Sequence, residues 1–479
     1  MTWQKLLHHR QLIIILLLAF LLRLYRINNP VLDWHSFRQA DTASVTREYL
    51  KHGIDLLHPK YDDLSNIQSG FDNPEGWRMV EFPILNAFSA LIIAIIPKAN
   101  EVLVGRLISV SLSLVSISAL YLLVKDISNQ RVAIWSALMM AVLPYSIYYS
   151  RVILPEPAML SSLLVSLWTF NRWLKNRSWQ DYGLSLLALM LSLLLKPYVI
   201  FMAPVYLALG FSQQGKKFFK NFPMYIYPLL AVTPLFGWRK WIEQFPEGIP
   251  ASDWLLNGNG IRFRPAWFRW LFYERLTKMF VGWTGLVLCL PVVFKPYKLK
   301  EVAIYGSWWL GSLIYLSVFA SGNVQHDYYQ VLLVPIVSIT LGVGIVKLMD
   351  FLSRKINPTW AKIMIGLILT SSLSLAWLQI RGFFNINRWE YQKAGQAVDQ
   401  LTPPDALIIA PAMGDTQFLF QTNRRGWPIG FEIDNKIKLG AGYYISTSQD
   451  DETRLLESKF MVVKKTPDYT LIDLTKPKN

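Results

Sequence analysis

The sequence predicts an all-α polytopic membrane protein of about eleven transmembrane helices plus a re-entrant or interfacial helix, closed by a small external α/β domain. Three observations predict it. Of the 479 residues, 53% are hydrophobic and only 17% charged, a composition far from the soluble average. Apolar runs near the ~20 residues that a bilayer requires recur along most of the chain. Lysines and arginines cluster in the short segments between those runs, as the positive-inside rule demands. The net charge of +16 is therefore topological, and nucleic acid is excluded as a partner. The single cysteine, Cys289, lies in an apolar run, which leaves no disulfide framework and no cysteine-based metal site.

The expected spans are 11–27, 104–124, 132–149, 157–173, 182–195, 198–211, 222–238, 277–294, 302–320, 328–346 and 361–380. The first has no small-residue cleavage site behind it and reads as a retained helix rather than a signal peptide. Phe82 to Pro97 is apolar but short and bounded by prolines, so it reads as re-entrant. Charge supports leaving it out. With an internal N-terminus, the cytoplasmic loops then hold Lys125 and Arg131; Arg172, Lys175 and Arg177; Lys216, Lys217 and Lys220; Lys295, Lys298 and Lys300; and Lys347, Arg354 and Lys355. The one exception is 239–275, with Arg262, Arg264, Arg269 and Arg275 on the outside. Its aromatic stretch 262–273 suits headgroup depth.

This topology divides the chain into a membrane domain, 1–380, whose first external loop is 28–103, and an external domain, 381–479. The tail loses membrane character. It offers a helix at 389–401 and strands at 406–410, 443–446, 460–463 and 469–474, with turn residues between them. No internal repeat of the transporter kind is present in the sequence.

Candidate chemistry falls on the outer side at every point. Ser36-Phe37-Arg38-Gln39 has the form of a capping box and Lys51-His52-Gly53 that of a helix end, predicting a helix over 37–52 in the first loop. Arg38, Asp41, Val45 and Glu48 share one of its faces. Asp41 is the candidate general base, weighed against surface pairing with Arg38 or Arg47; Asp33, in the turn before the helix, is the competing acid. Glu81 opens the short apolar run, while Arg151 and Glu156 flank the outer mouths of two spans. Ionisable groups so near hydrocarbon are functional candidates, set against snorkelling for Arg151 and helix capping for Glu156. Lys196-Pro197 interrupts a long apolar stretch, and His326-Asp327-Tyr328-Tyr329 heads another. Arginine, lysine and histidine at the outer leaflet suit a lipid-linked phosphate. His326 and Asp327 have no second histidine at zinc spacing.

Phe37-Arg38-Gln39-Ala40-Asp41-Thr42, Arg151 to Glu156, and His326-Asp327-Tyr328-Tyr329 together resemble the GT-C membrane glycosyltransferases. The likeness is to the bacterial branch related to protein O-mannosyltransferases and the lipid A aminoarabinose transferase. It covers roughly residues 10–350, and the tail around Arg424-Arg425-Gly426-Trp427 is similar to the external domain of bacterial members. The resemblance implies a polyprenyl-phosphate sugar donor, an acceptor that is a glycan, lipid or protein, and a first-loop acid as base. Asp41 matches that acid, although family motifs hold two acids adjacent or one apart and here Asp33 and Asp41 are eight apart. Catalytic roles are thus expected of Asp41, Glu81 and Glu156, and donor-phosphate binding of Arg151, Lys196, His326 and Tyr328. Asp33, Arg38 and Asp327 stand as further candidates. A divalent cation is left open by the resemblance, since its branches differ. The expected setting is a bacterial cytoplasmic membrane with the active site and C-terminus outside. A lipid or solute transporter or flippase is the rival class, and a membrane scaffold presenting the tail is another; neither predicts acids gathered at outer helix ends beside a large first loop.

Overall fold

The computed structural model describes residues 10–96, 99–294 and 298–478. Pro97, at the end of the expected re-entrant run, and Lys295, in one cytoplasmic cluster, lie outside the described residues. The chain forms two compact units. The first comprises the chain up to Ile27, Leu107–Trp238 and Ser252–Phe383; the second comprises Asn28–Arg106, Arg239–Ala251 and Phe384–Asn479.

The first unit is helical throughout its long elements, and each of the eleven expected segments is largely helix, 11–27 ending in a turn after Arg23 and 277–294 being broken by a turn over 281–285. Glu101–Ile127, Asp327–Leu352 and the helical stretch from Pro358 are long and apolar enough to cross a membrane. Other segments are broken for visible reasons. Gln130–Val142 starts where Asn129 caps Val132 N–H and stops at Leu143, ahead of Pro144, which opens a further short helix to Tyr149. Trp179–Leu195 stops at Lys196, whose extended backbone is what the following proline favours, and a 3₁₀ turn then leads into Ala203–Gln214. Arg269–Phe280 is π-helical and ends in a reversal at Gly282 and Trp283, both with positive φ. Small residues let the helices touch backbone to backbone. A Cβ built on Gly344 would lie 1.6 Å from the Leu288 carbonyl oxygen, and one on Gly311 would lie 2.3 Å from that of Phe201.

In the second unit, the predicted first-loop helix is present as Ser36–His52 and ends on Gly53 with φ 91°. The capping box is not formed. Ser36 Oγ instead donates to Gln417, and the Gln39 amide donates to Asp33 and to the Trp34 carbonyl, because these side chains are drawn into longer-range contacts. The short apolar run forms a helix only over Ile84–Ile95, about 18 Å at the α-helical rise and too short for a span. The tail holds the expected helix, Trp389–Leu401, and five strands: β1 (Leu407–Ile409), β2 (Gly426–Trp427), β3 (Ala441–Ser446), β4 (Phe460–Lys465) and β5 (Thr470–Pro477). They are ordered β2-β1-β3-β5-β4, parallel across β2-β1-β3 and antiparallel beyond. Alternation sorts the core. Ile408, Ile445 and Leu471 face helix 389–401 on one side, while Ile409, Tyr444 and Ile472 form the other side with Leu64 of the first loop. That loop also covers the sheet edge: Leu64 N–H donates to the Gly426 carbonyl, and Gly426 N–H donates to that of Asp62.

Gly344→Ala is expected to destabilise the helical unit by about 1–3 kcal/mol through overpacking. Gly306→Ala, where a Cβ meets nothing within 4 Å, should be nearly silent. Thermal unfolding of the two variants in detergent checks this; equal midpoints would show that the helix crossing at Gly344 relaxes freely.

Candidate active site

Helix Ser36–His52 is rich in polar residues, yet most of its side chains are buried. Each charge must then meet a partner, since an unpaired buried ion costs several kcal/mol. Asp41, 2% exposed, pairs with Arg78 at 2.9 Å. It also accepts from Thr416 Oγ1 at 2.7 Å and from the Gln68 amide at 3.2 Å. Arg78 in turn donates to Gln68. Neither expected surface partner is used: Arg38 pairs with Glu81, while Arg47 pairs with Glu101 and, at 3.1 Å, with Asp62. Asp33 is held separately, by Arg106 at 3.1 Å and by Gln39 at 2.7 Å. The structure therefore distinguishes the two first-loop acids by their partners. Asp41 sits among groups from three stretches of chain, whereas Asp33 ties the loop to the start of helix Glu101–Ile127.

Two further acids lie close by. Burial pushes the Asp63 carboxyl up to about 7, against the opposing hydrogen bond from Ser65, with the nearby Asp41 charge adding to the rise. Burial likewise raises Asp415 to about 6. Sequence reasoning missed Arg78, Gln68, Asp63, Asp415 and Thr416. Arg78 carried a faint signal, being a cation three residues before Glu81; Thr416 carried none.

The helical unit assembles the other candidates. Glu156, fully buried, opens helix Glu156–Asn176 and pairs with Lys196 at 3.0 Å, while Tyr198 donates to the same oxygen at 3.4 Å. Its second oxygen, Oε2, accepts no hydrogen bond from any described residue. Tyr198 continues into an aromatic series, 6.0 Å from Tyr329, which stacks on Tyr328 at 4.7 Å; His326 stacks on Tyr328 at 5.4 Å. Asp327 points to another partner set, accepting from the Tyr149 hydroxyl and lying 3.8 Å from Arg275. Lys196, Glu156, His326 and Tyr328 thus converge from separate segments, while Asp327 turns to Tyr149 and Arg275. Arg151 does not snorkel: it is fully buried and donates to the Arg26 carbonyl at 2.9 Å, its guanidinium 5.5 Å from the Tyr148 ring. Arg38, Asp33, Asp41 and Glu81 belong to one compact unit, and Arg151, Glu156, Lys196, His326, Asp327 and Tyr328 to the other.

Among the described residues there is no group of three or more His, Cys, Asp and Glu side chains that could hold a metal ion. Asp41, Glu81 and Glu156 each face a cationic side chain instead, so these acids do not fit a divalent cation.

Residues 80–241 match the family model of the dolichyl-phosphate-mannose-protein mannosyltransferases. Among solved structures, the chain is similar to ArnT from Cupriavidus metallidurans bound to undecaprenyl phosphate. The TM-score is 0.68 at 11% identity, covering 97% of this chain and 98% of that one. It is also similar to the oligosaccharyltransferase AglB from Archaeoglobus fulgidus, in complex with an inhibitory peptide and a dolichol-phosphate. There the TM-score is 0.57 at 12% identity, covering 93% of this chain and 70% of that one. No curated protein sequence matches. At these identities the likeness is one of fold, shared with ArnT and AglB.

The raised carboxyl of Asp63 gives a pH prediction. Its folded value, about 7, lies above the ordinary 3.8, so the stability linked to its proton is complete below about pH 4 and is lost as pH rises through about 7. Asp63→Asn, which cannot ionise, should raise the melting temperature at pH 8 and change it little at pH 4. A shift of the same size at both pH values would show that Asp63 is not the titrating group.

Proposed function

We propose that this protein transfers a sugar from a polyprenyl-phosphate-linked donor to an acceptor glycan, lipid or protein on the external face of a bacterial cytoplasmic membrane. The reading is supported above all by the convergence of Lys196, Glu156, His326 and Tyr328 on one aromatic-lined cluster in the helical unit. Such fixed charge suits a phosphate that gains negative charge as it departs. Likeness of fold to a protein solved with undecaprenyl phosphate supports the choice of donor.

In the proposed mechanism, Asp41 takes the proton of the acceptor hydroxyl or amine as that atom bonds to the anomeric carbon. The bond from that carbon to the phosphate oxygen breaks, and its electron pair leaves with the polyprenyl phosphate. Arg78, Gln68 and Thr416 hold the Asp41 carboxylate in one orientation before reaction. Binding of the donor phosphate is a separate proposal, for Arg151, Lys196, His326 and Tyr328 of the helical unit. Glu156 fixes Lys196, and Glu81 fixes Arg38. The N-terminus is cytoplasmic in this scheme, and the domain from Arg381 is external.

Asp41→Asn keeps shape and loses basicity, so transfer should fall by ~100- to 10,000-fold, the usual cost of removing a general base. The assay is single-turnover transfer in reconstituted membranes, with protein level as control. If Asp41→Asn turns over normally while Asp33→Asn does not, the base is Asp33. Arg151→Lys retains charge without the two-donor fork and should weaken dependence on donor concentration, as should Lys196→Ala. An unaltered donor dependence in both variants would make these cations structural. Cysteine at position 125 should resist labelling by an impermeant maleimide from outside; labelling there would overturn the assignment of sides.

A further inference from the structure

The second unit contains a cleft that none of the proposed chemistry uses. It has a volume of about 490 Å³ and is lined by Glu48, Tyr49, His52, Asp55, His58, Lys60, Trp77 and Phe245. Its walls are aromatic. Trp77 and Phe245 lie 5.3 Å apart, with the His58 ring within 6 Å of both, and the Phe245 segment is fixed there because Met79 N–H donates to the Gly248 carbonyl.

Its polar groups are of both signs and nearly balanced. Asp55 holds His58 at 2.8 Å, and Lys60 holds Glu75 at 2.6 Å while lying over the Trp77 ring. Glu48, 2% exposed, is unusual: neither carboxylate oxygen accepts a hydrogen bond from any described residue. Lys51, His52 and Arg425 surround it at 3.6–3.9 Å without hydrogen-bonding it. A buried acceptor left in this state is costly unless a donor arrives.

Aromatic walls with a ring of acceptors and donors match a molecule having apolar C–H faces and a rim of hydroxyls. Balanced charge favours a neutral ligand over an anion or a cation. Glu48 and Asp41 lie seven residues apart on one helix, two turns or about 10 Å, and on the same face.

We propose that this cleft is a saccharide-binding subsite, stacking a neutral pyranose ring against Trp77 and Phe245 and seating the sugar portion of the acceptor along the helix from Asp41. The identification of the sugar as acceptor rests on the proposed function; the binding of a sugar does not.

Saturation-transfer NMR on the full-length protein in nanodiscs, free of sugar-based detergent, tests it. The probes are the methyl glycosides of mannose, glucose, galactose and N-acetylglucosamine, with glycerol and methylammonium as controls. At least one glycoside should receive saturation, and Trp77→Ala should weaken it about tenfold or more. His52→Ala and Asp55→Asn alter side chains that are 67% and 57% exposed, so these variants fold, and each should also weaken binding. The proposal is overturned if no glycoside binds, if binding is indifferent to all three cleft variants, or if methylammonium is preferred. Normal turnover by Asp41→Asn would instead remove the catalytic reading and leave glycoside binding by the cleft standing.

Discussion

Helix Ser36–His52 imposes a constraint on its whole unit: it is polar around its circumference and buried along most of its length. An amphipathic helix can satisfy its charges with water on one side. This one cannot, so Arg38, Asp41 and Arg47 take their partners from distant stretches of chain, namely Glu81, Arg78, and Asp62 with Glu101. The neighbouring loops are thereby fixed in place. The same requirement draws in the tail, where Thr416 completes the Asp41 cluster and the Phe420 carbonyl accepts from Arg47.

Such an arrangement is weak as a source of net stability, because desolvation offsets much of what each buried pair gains. It is strong as a source of position. A carboxylate held by a guanidinium, an amide and a hydroxyl has little freedom to turn, which is what a base acting on a docked acceptor requires. Glu48 differs from Asp41 on the same helix in this respect. Asp41 has its hydrogen bonds made within the protein, whereas Glu48 has charge around it and none made.

The helical unit meets burial differently. Several of its buried charged or polar side chains sit where helices break: Lys196 before Pro197, Glu156 at a helix start, and His326 and Asp327 at the start of a 3₁₀ turn. A broken helix exposes backbone groups and admits side chains at angles that a continuous helix forbids. Charged and polar side chains collect there for that reason, beside the aromatic series of Tyr198, Tyr329 and Tyr328.

By itself the sequence determined the elements. Apolar runs set the helices, Lys196-Pro197 set a break, Gly53 set the end of the first-loop helix, and alternation set the strands of the tail, because each depends on neighbours within a turn or two. It also singled out Asp41, Glu156 and Lys196 as polar groups out of keeping with their surroundings. Tertiary structure alone decided their partners. The capping box of Ser36 and Gln39 was legible and did not form, since Gln417 and Asp33 compete for the same side chains. Arg151 read equally well as a snorkelling residue and is fully buried. Pairing of Asp41 with Arg78 and Thr416 joins residues up to 375 positions apart, and no local pattern encodes it. Nothing short of the folded chain could reveal that the first loop closes the edge of a sheet made from the tail, because the need to cover that edge arises only once the sheet exists.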